Sequence, residues 1–190
     1  MKETVYSVKV GLEGVTSLLM HKINTIQPAG KKKVDYSDGW ERTTYLDKDV
    51  IVIIPKLNIE AMIVGCKKYY KKNSPEQNLY NGIEIVEFEV PVLFNKKPIT
   101  LKDIKDNDWI FLAPVVIKGD RVMRARTCIP PGWYLEFTIL CQDVTITPKM
   151  IKEALGICGN DVGLCDWRPG AKKPGKFGKF EVVKFEVIND

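Results

Sequence analysis

Residues 4–10 alternate: Val5, Ser7 and Lys9 face one way and Tyr6, Val8 and Val10 the other, the period-two signature of a half-buried strand. Gly11 and Gly14 are expected to break it. Three later stretches read as strands. At 83–92, Val86, Phe88 and Val90 oppose Glu87 and Glu89. At 133–142, Trp133, Leu135, Phe137, Ile139 and Cys141 share a face, and at 180–188 Val183, Phe185 and Val187 do. A helical period shows at 58–72, where Ile59, Met62, Ile63, Cys66 and Tyr70 line one face behind Asn58 as N-cap. A second helix at 148–158 opens on Thr147 and Pro148, carries Ile151, Leu155 and Cys158 as its apolar stripe, and is expected to end at Gly159.

The apolar stretch 15–23 reads as a short helix, and 45–55 as a hairpin turning at 47–49 into a buried, β-branched strand at 50–54. A second hairpin joins 109–117 to 121–127 through Lys118-Gly119-Asp120. Residues 163–178 are too rich in glycine, proline and lysine for regular structure. Without these decorations the order is β, α, β, β, α, β. That is the α+β, ferredoxin-like (RRM-like) order: a four-stranded antiparallel sheet backed by two helices. The chain reads as one domain, 1–190, with an insertion at 15–54, a hairpin at 109–127 and a Gly/Lys-rich loop before the last strand.

Composition narrows the class. Of 190 residues, 45% are hydrophobic and 28% charged, which excludes a disordered, collagen-like or coiled-coil chain. The longest uncharged apolar run, 109–117, contains Pro114 and is far short of the ~20 residues a membrane helix needs, so no membrane partner is expected. No apolar leader follows Lys2, and a cytoplasmic location is expected. The five cysteines show no CxxC spacing and read as reduced thiols, and His21 is the single histidine. Neither a metal nor a cofactor is expected.

The net charge of +5 is unevenly spread. Lys31, Lys32 and Lys33 form one basic window. Lys67, Lys68 and Lys71 form another, around Tyr69 and Tyr70, where they suit either a phosphate backbone or the negative end of a helix. Arg121, Arg124 and Arg126 form a third, the last two on one strand face. The loop supplies a fourth: Trp167, Arg168, Lys172, Lys173, Lys176, Phe177 and Lys179. Basic patches interleaved with aromatic rings on an otherwise acidic body point to a polyanion such as single-stranded nucleic acid. The loop follows a helix and precedes a strand, the reverse of a Walker or Rossmann phosphate loop.

A helix, a glycine-rich loop and a final strand in that order resemble the RAMP superfamily, RNA-binding proteins of CRISPR effector complexes, and their backbone subunits above all. Val8-Lys-Val-Gly-Leu-Glu-Gly-Val-Thr-Ser-Leu-Leu-Met20 is similar to their first strand and the loop after it. Val52-Ile-Ile-Pro-Lys-Leu-Asn-Ile-Glu-Ala-Met-Ile63 is similar to their strand, Pro turn and helix, and 121–127 sits where they carry a basic hairpin or thumb. The resemblance implies a ferredoxin-like fold that holds single-stranded RNA or DNA without regard to sequence, on the sheet or its cleft. It also implies side-by-side assembly along the strand, as a homo-oligomer or with RAMP-type partners. The Asp-Trp-Arg-Pro…Phe-Gly-Lys-Phe segment also resembles small phage proteins, which would place the protein in the host cytoplasm. A phage structural or assembly protein, or an inhibitor acting through protein contacts, is one alternative. Some RAMP nucleases cut RNA with a histidine, so metal-independent cleavage through His21 is another, although no enzyme is expected.

Overall fold

The alternation that opens the chain runs on through both of its glycines. The computed structural model describes residues 4–23, 39–117 and 119–188. In chain order the elements are β1 (Tyr6–Gly14), β2 (Leu18–Leu19), β3 (Ile53–Pro55), α1 (Lys56–Gly65), β4 (Ile83–Ile85), β5 (Glu89–Pro91), β6 (Leu93–Phe94), β7 (Lys97–Pro98), α2 (Leu101–Asp106), β8 (Ile110–Ile117), β9 (Asp120–Ile129), β10 (Tyr134–Cys141), α3 (Pro148–Ile157) and β11 (Phe180–Ile188). The largest sheet follows the order β11-β1-β10-β6-β7, with β4 also on β10, and every pairing is antiparallel. Val8, Val10 and Leu12 of β1 and Leu135, Phe137 and Ile139 of β10 point into one core with Ile59 and Met62 of α1 and Ile151 and Leu155 of α3. This α+β arrangement of antiparallel sheets with few helices fits the ferredoxin-like expectation broadly. No helix among the described residues is long and apolar enough to cross a membrane.

Gly14 continues β1 because the Trp133 indole lies where a Cβ would be, and that indole donates to the Thr16 carbonyl at 2.8 Å. The expected strand at 83–92 is broken into β4 and β5. β4 pairs with β10, β5 turns away to pair with β3, and just beyond it β6 returns to β10 at Tyr134. At the break, the Glu87 carboxylate accepts from the Thr138 amide at 2.8 Å, so a side chain replaces the departing backbone partner. In β11 a register shift opposite Gly11 and Leu12 leaves Val183 half-exposed and turns Val182 inward beside Phe185, which corrects the expected Val183 face.

The helix expected at 58–72 begins at Lys56, and Asn58 does not cap it; after Gly65 it tightens into a 3-10 turn over Cys66–Tyr69. Residues 15–23 are extended rather than helical. Leu18 and Leu19 pair with Ile129 and Cys128, while the Ser17 and Leu19 carbonyls accept from the Gly178 and Asp166 amides. Long-range partners have taken the backbone groups a helix would use, and a short apolar run cannot announce that. Val50, expected in a buried strand, sits exposed in the turn at a φ of 64°. The Thr147 cap on α3 is as expected, accepting from the Met150 amide at 3.3 Å. Gly159 does not end that helix: the chain passes into a π-helical turn over Cys158–Val162, and Gly159 packs on the Phe180 carbonyl. α2, which the hydrophobic pattern did not reveal, is held by a reciprocal Thr100–Asp103 cap. All five cysteines are free thiols.

Candidate nucleic-acid interface

The hairpin of β8 and β9 pairs Phe111 with Arg126 and Ala113 with Arg124, so those four residues share one face. That face meets the loop 163–178. The loop has no helix or strand, yet it is built rather than slack. The Leu164 amide donates to the Gly178 carbonyl at 2.9 Å, Phe177 to Trp167 at 3.2 Å and Gly170 to Val162 at 2.8 Å. Glycine is required at Gly178, whose φ is 68° and whose missing side chain admits the Leu164 carbonyl. It is required equally at Gly175, where the Trp167 carbonyl occupies that space. The glycines thus let the loop fold on itself.

Trp167 and Phe177 meet Phe111 of the hairpin, with ring centres 6.0 Å and 5.4 Å away, edge-on and tilted. Arg126, 3% exposed, lays its guanidinium 4.6 Å from the Trp167 ring centre. Its Nε lies 3.3 Å from Asp166 Oδ2, but neither atom has a hydrogen-bond partner, so the attraction is Coulombic rather than an aligned bond. Arg126 Nη1 is likewise buried and unbonded. Burial and Arg124 pull Arg126 below its ordinary pKa while Asp166 opposes them, and a guanidinium remains charged throughout.

His21 stands against the same carboxylate. Arg124 Nη1 is 3.2 Å from His21 Nε2 and can only donate, which assigns the proton to Nδ1, 3.8 Å from Asp166 Oδ2. Burial first, then Arg124 and Arg126, lower the imidazole pKa against the pull of Asp166, so the ring is neutral at pH 7. Beside it is a pocket of about 150 Å³ lined by His21, Tyr45, Asn58, Cys165, Asp166 and Arg168. Burial pushes the Cys165 thiol up to about 12, so it holds its proton and is no nucleophile.

The structure therefore brings together Arg124, Arg126, Trp167, Arg168 and Phe177. Arg121 lies exposed farther out on β9, opposite Val116, and Lys172, Lys173 and Lys176 are exposed on the loop. Lys179 is half-buried, its carbonyl accepting from Val15 at 2.8 Å. Lys67, Lys68 and Lys71 do not join them. Lys67 and Lys68 lie over the Tyr80 and Tyr69 rings, nine positions and more beyond Asn58, or ~14 Å along a helical path. Lys31, Lys32 and Lys33 lie outside the described residues. Sequence reasoning missed Asp166, Phe111, Tyr45 and Asn58 as parts of this site. The one available signal was Asp166 itself, the sole acid in a basic loop.

The open face of the large sheet is no cationic platform, contrary to one half of the expectation. Lys9 and Lys184 are spent on Glu136, at 2.8 and 3.1 Å, and Tyr134 donates to Glu136 at 3.0 Å. Glu13 and Glu181, paired with each other, and Glu186 leave that face acidic.

The fold is RAMP-like. It aligns with a chain in the cryo-EM structure of the type III-B Cmr-beta complex bound to cognate target RNA, at a TM-score of 0.62 and 15% identity over 98% of this chain and 61% of that one. This chain thus spans about three-fifths of that neighbour's length. Looser alignments reach a chain of the Csm3–Csm4 subcomplex of the type III-A CRISPR-Cas interference complex (TM-score 0.43, 14% identity, 97% and 80% covered) and one of a type IV-B CRISPR complex (0.48, 11%, 95% and 90%). No protein-family model and no curated protein sequence matches the chain.

Proposed function

We propose that the protein binds single-stranded nucleic acid, RNA foremost, without general sequence preference, as a RAMP-type subunit working beside other subunits or copies of itself. The strand runs over the surface that the β8–β9 hairpin and the loop 163–178 form together, beside the pocket at His21. The observation that carries this reading is the buried Arg126, stacked on Trp167 and retaining unused donors, with the Arg124 charge near it and Arg168 in the pocket that shares Asp166. A folded chain that gathers guanidinium groups around one carboxylate keeps positive charge in excess where a phosphate can approach. The path β11-β1-β10 with β4 beyond it supports reading a ferredoxin-like four-stranded core, extended by β6 and β7. Fluorescence anisotropy with unstructured RNA across a salt series tests the proposal. Affinity should fall steeply with salt, with a log–log slope of about −0.7 for each phosphate neutralised. A salt-insensitive interaction, or none, defeats it and favours docking of a protein on the exposed Leu112, Val116 and Met123 strip of the hairpin.

His21 supports a second reading, metal-independent RNA cleavage. A neutral imidazole oriented by Arg124 and flanked by Asp166 has the form of a general base. We favour binding without cleavage, because Arg124 already donates to the one ring nitrogen that can accept a proton. RNA cut by the wild type but not by His21→Ala would reverse that preference.

A further inference from the structure

From the pocket beside His21 we infer that one pyrimidine-sized base of the bound strand is drawn out of the line of phosphates and held there, so that a strand gripped mainly by its backbone is read at one position. The inference rests on the single-strand reading above.

Size and lining carry it. A cavity of ~150 Å³ is enough for one six-membered aromatic ring, and it is well below the ~300 Å³ at which ordinary small-molecule sites begin. The pocket has about that volume. Within the lining Asp166 stands against Arg168 and the His21 ring is neutral, whereas Arg124 and Arg126 are not part of it. A phosphate inside would meet the Asp166 carboxylate, while the surplus of guanidinium charge lies outside the pocket. A nucleobase is flat, uncharged and edged with both donors and acceptors, and the lining matches each property. Tyr45 and His21 supply planar rings. The Asn58 amide, beside the Tyr45 hydroxyl and 3.9 Å from Cys165 Sγ, can both donate and accept. Asp166 accepts and Arg168 donates. Two atoms of these side chains, Asp166 Oδ2 and Arg168 Nε, are buried without a hydrogen-bond partner, an uncommon state that leaves the lining with polar capacity to spare. Outside the lining, Arg124 reaches His21, while the buried Arg126 backs Asp166. A base seated inside leaves its own phosphate near Arg124.

The test uses the full chain and RNA strands of about twelve residues, within the span one small module covers. One strand consists entirely of abasic ribose phosphates. Others carry a single central uracil, cytosine, adenine or guanine. A single pyrimidine should tighten binding about tenfold over the abasic strand, and a purine by less than about threefold. Asn58→Leu and Tyr45→Ala, each checked for folding by thermal melting, should cancel the pyrimidine gain. Equal affinity for abasic and single-base strands overturns the pocket and leaves phosphate binding intact. A gain that survives both substitutions places the base elsewhere and also overturns it. If neither abasic nor natural strands bind, the single-strand reading fails and the pocket with it.

Discussion

The Arg126 guanidinium lies 4.6 Å from the centre of the Trp167 ring, and through that contact the hairpin and the glycine-rich loop become one surface. Neither segment could form the site alone. The hairpin brings charge and Phe111; the loop brings the ring that meets Phe111 edge-on and lies under Arg126, and the carboxylate that stands against both Arg126 and His21.

Truncating that ring should undock the loop. Trp167→Ala removes contacts with Phe111, Phe177 and Arg126, and we expect a loss of ~2–4 kcal/mol in urea denaturation. Trp167 also holds a φ of 46°, in the left-handed region. Trp167→Gly should therefore be less damaging than Trp167→Ala, by ~1 kcal/mol, a reversal of the usual order. Equal stability of the two variants would show that this backbone conformation is not held in solution.

Glycine substitutions separate packing from backbone strain. Gly119, at the hairpin tip, has a φ of 92° and open space around its Cβ position, so Gly119→Ala should cost only ~1 kcal/mol. Gly178→Ala adds collision with the Leu164 carbonyl to a φ of 68° and should cost ~3 kcal/mol or more. A thermal-melting comparison of the two decides whether the loop is as closely built as its hydrogen bonds indicate.

Acid should weaken the fold through Glu136. Lys9 above all, then Lys184 and Tyr134, hold its carboxyl at about 2, below the ordinary value of 4.5. A depressed carboxylate pKa contributes stability that is fully present above the unfolded value and is lost as pH falls toward the folded one. Unfolding free energy should therefore decline between pH 4.5 and about 2, and Glu136→Gln should flatten that part of the profile. An unchanged slope in the variant would assign acid sensitivity to other carboxylates.

Binding should map to one side of the molecule. Arg124→Ala should reduce the magnitude of the salt slope for RNA by about 0.7, the share of one phosphate contact. Lys67→Ala, Lys68→Ala and Lys71→Ala combined should leave it unchanged, since those lysines sit at the far end of α1 from Asn58 and Cys165. A larger effect from the lysines would move the strand to the helical side.

Local chemistry along the chain was sufficient for much of this. The alternation in β1 and β10, the Thr147–Pro148 start of α3, the hairpin around Gly119 and the two-residue spacing that aligns Arg124 with Arg126 follow from periodicity and from residues with strong conformational preferences. The α+β character, with antiparallel sheets and few helices, was legible for the same reason. Tertiary structure decided what depends on partners far away in the chain. Leu18 and Leu19 are extended because β9 and the loop claim their backbone, and residues 83–92 are broken because β3 draws β5 off the sheet. It likewise decided which basic windows meet. Charge shows along a sequence as a count, but whether two patches share a surface depends on how the chain returns, and Asp166 becomes the centre of the site only once β9 sets Arg126 beside it and the segment after β2 brings His21, with Arg124 on the far side of the ring.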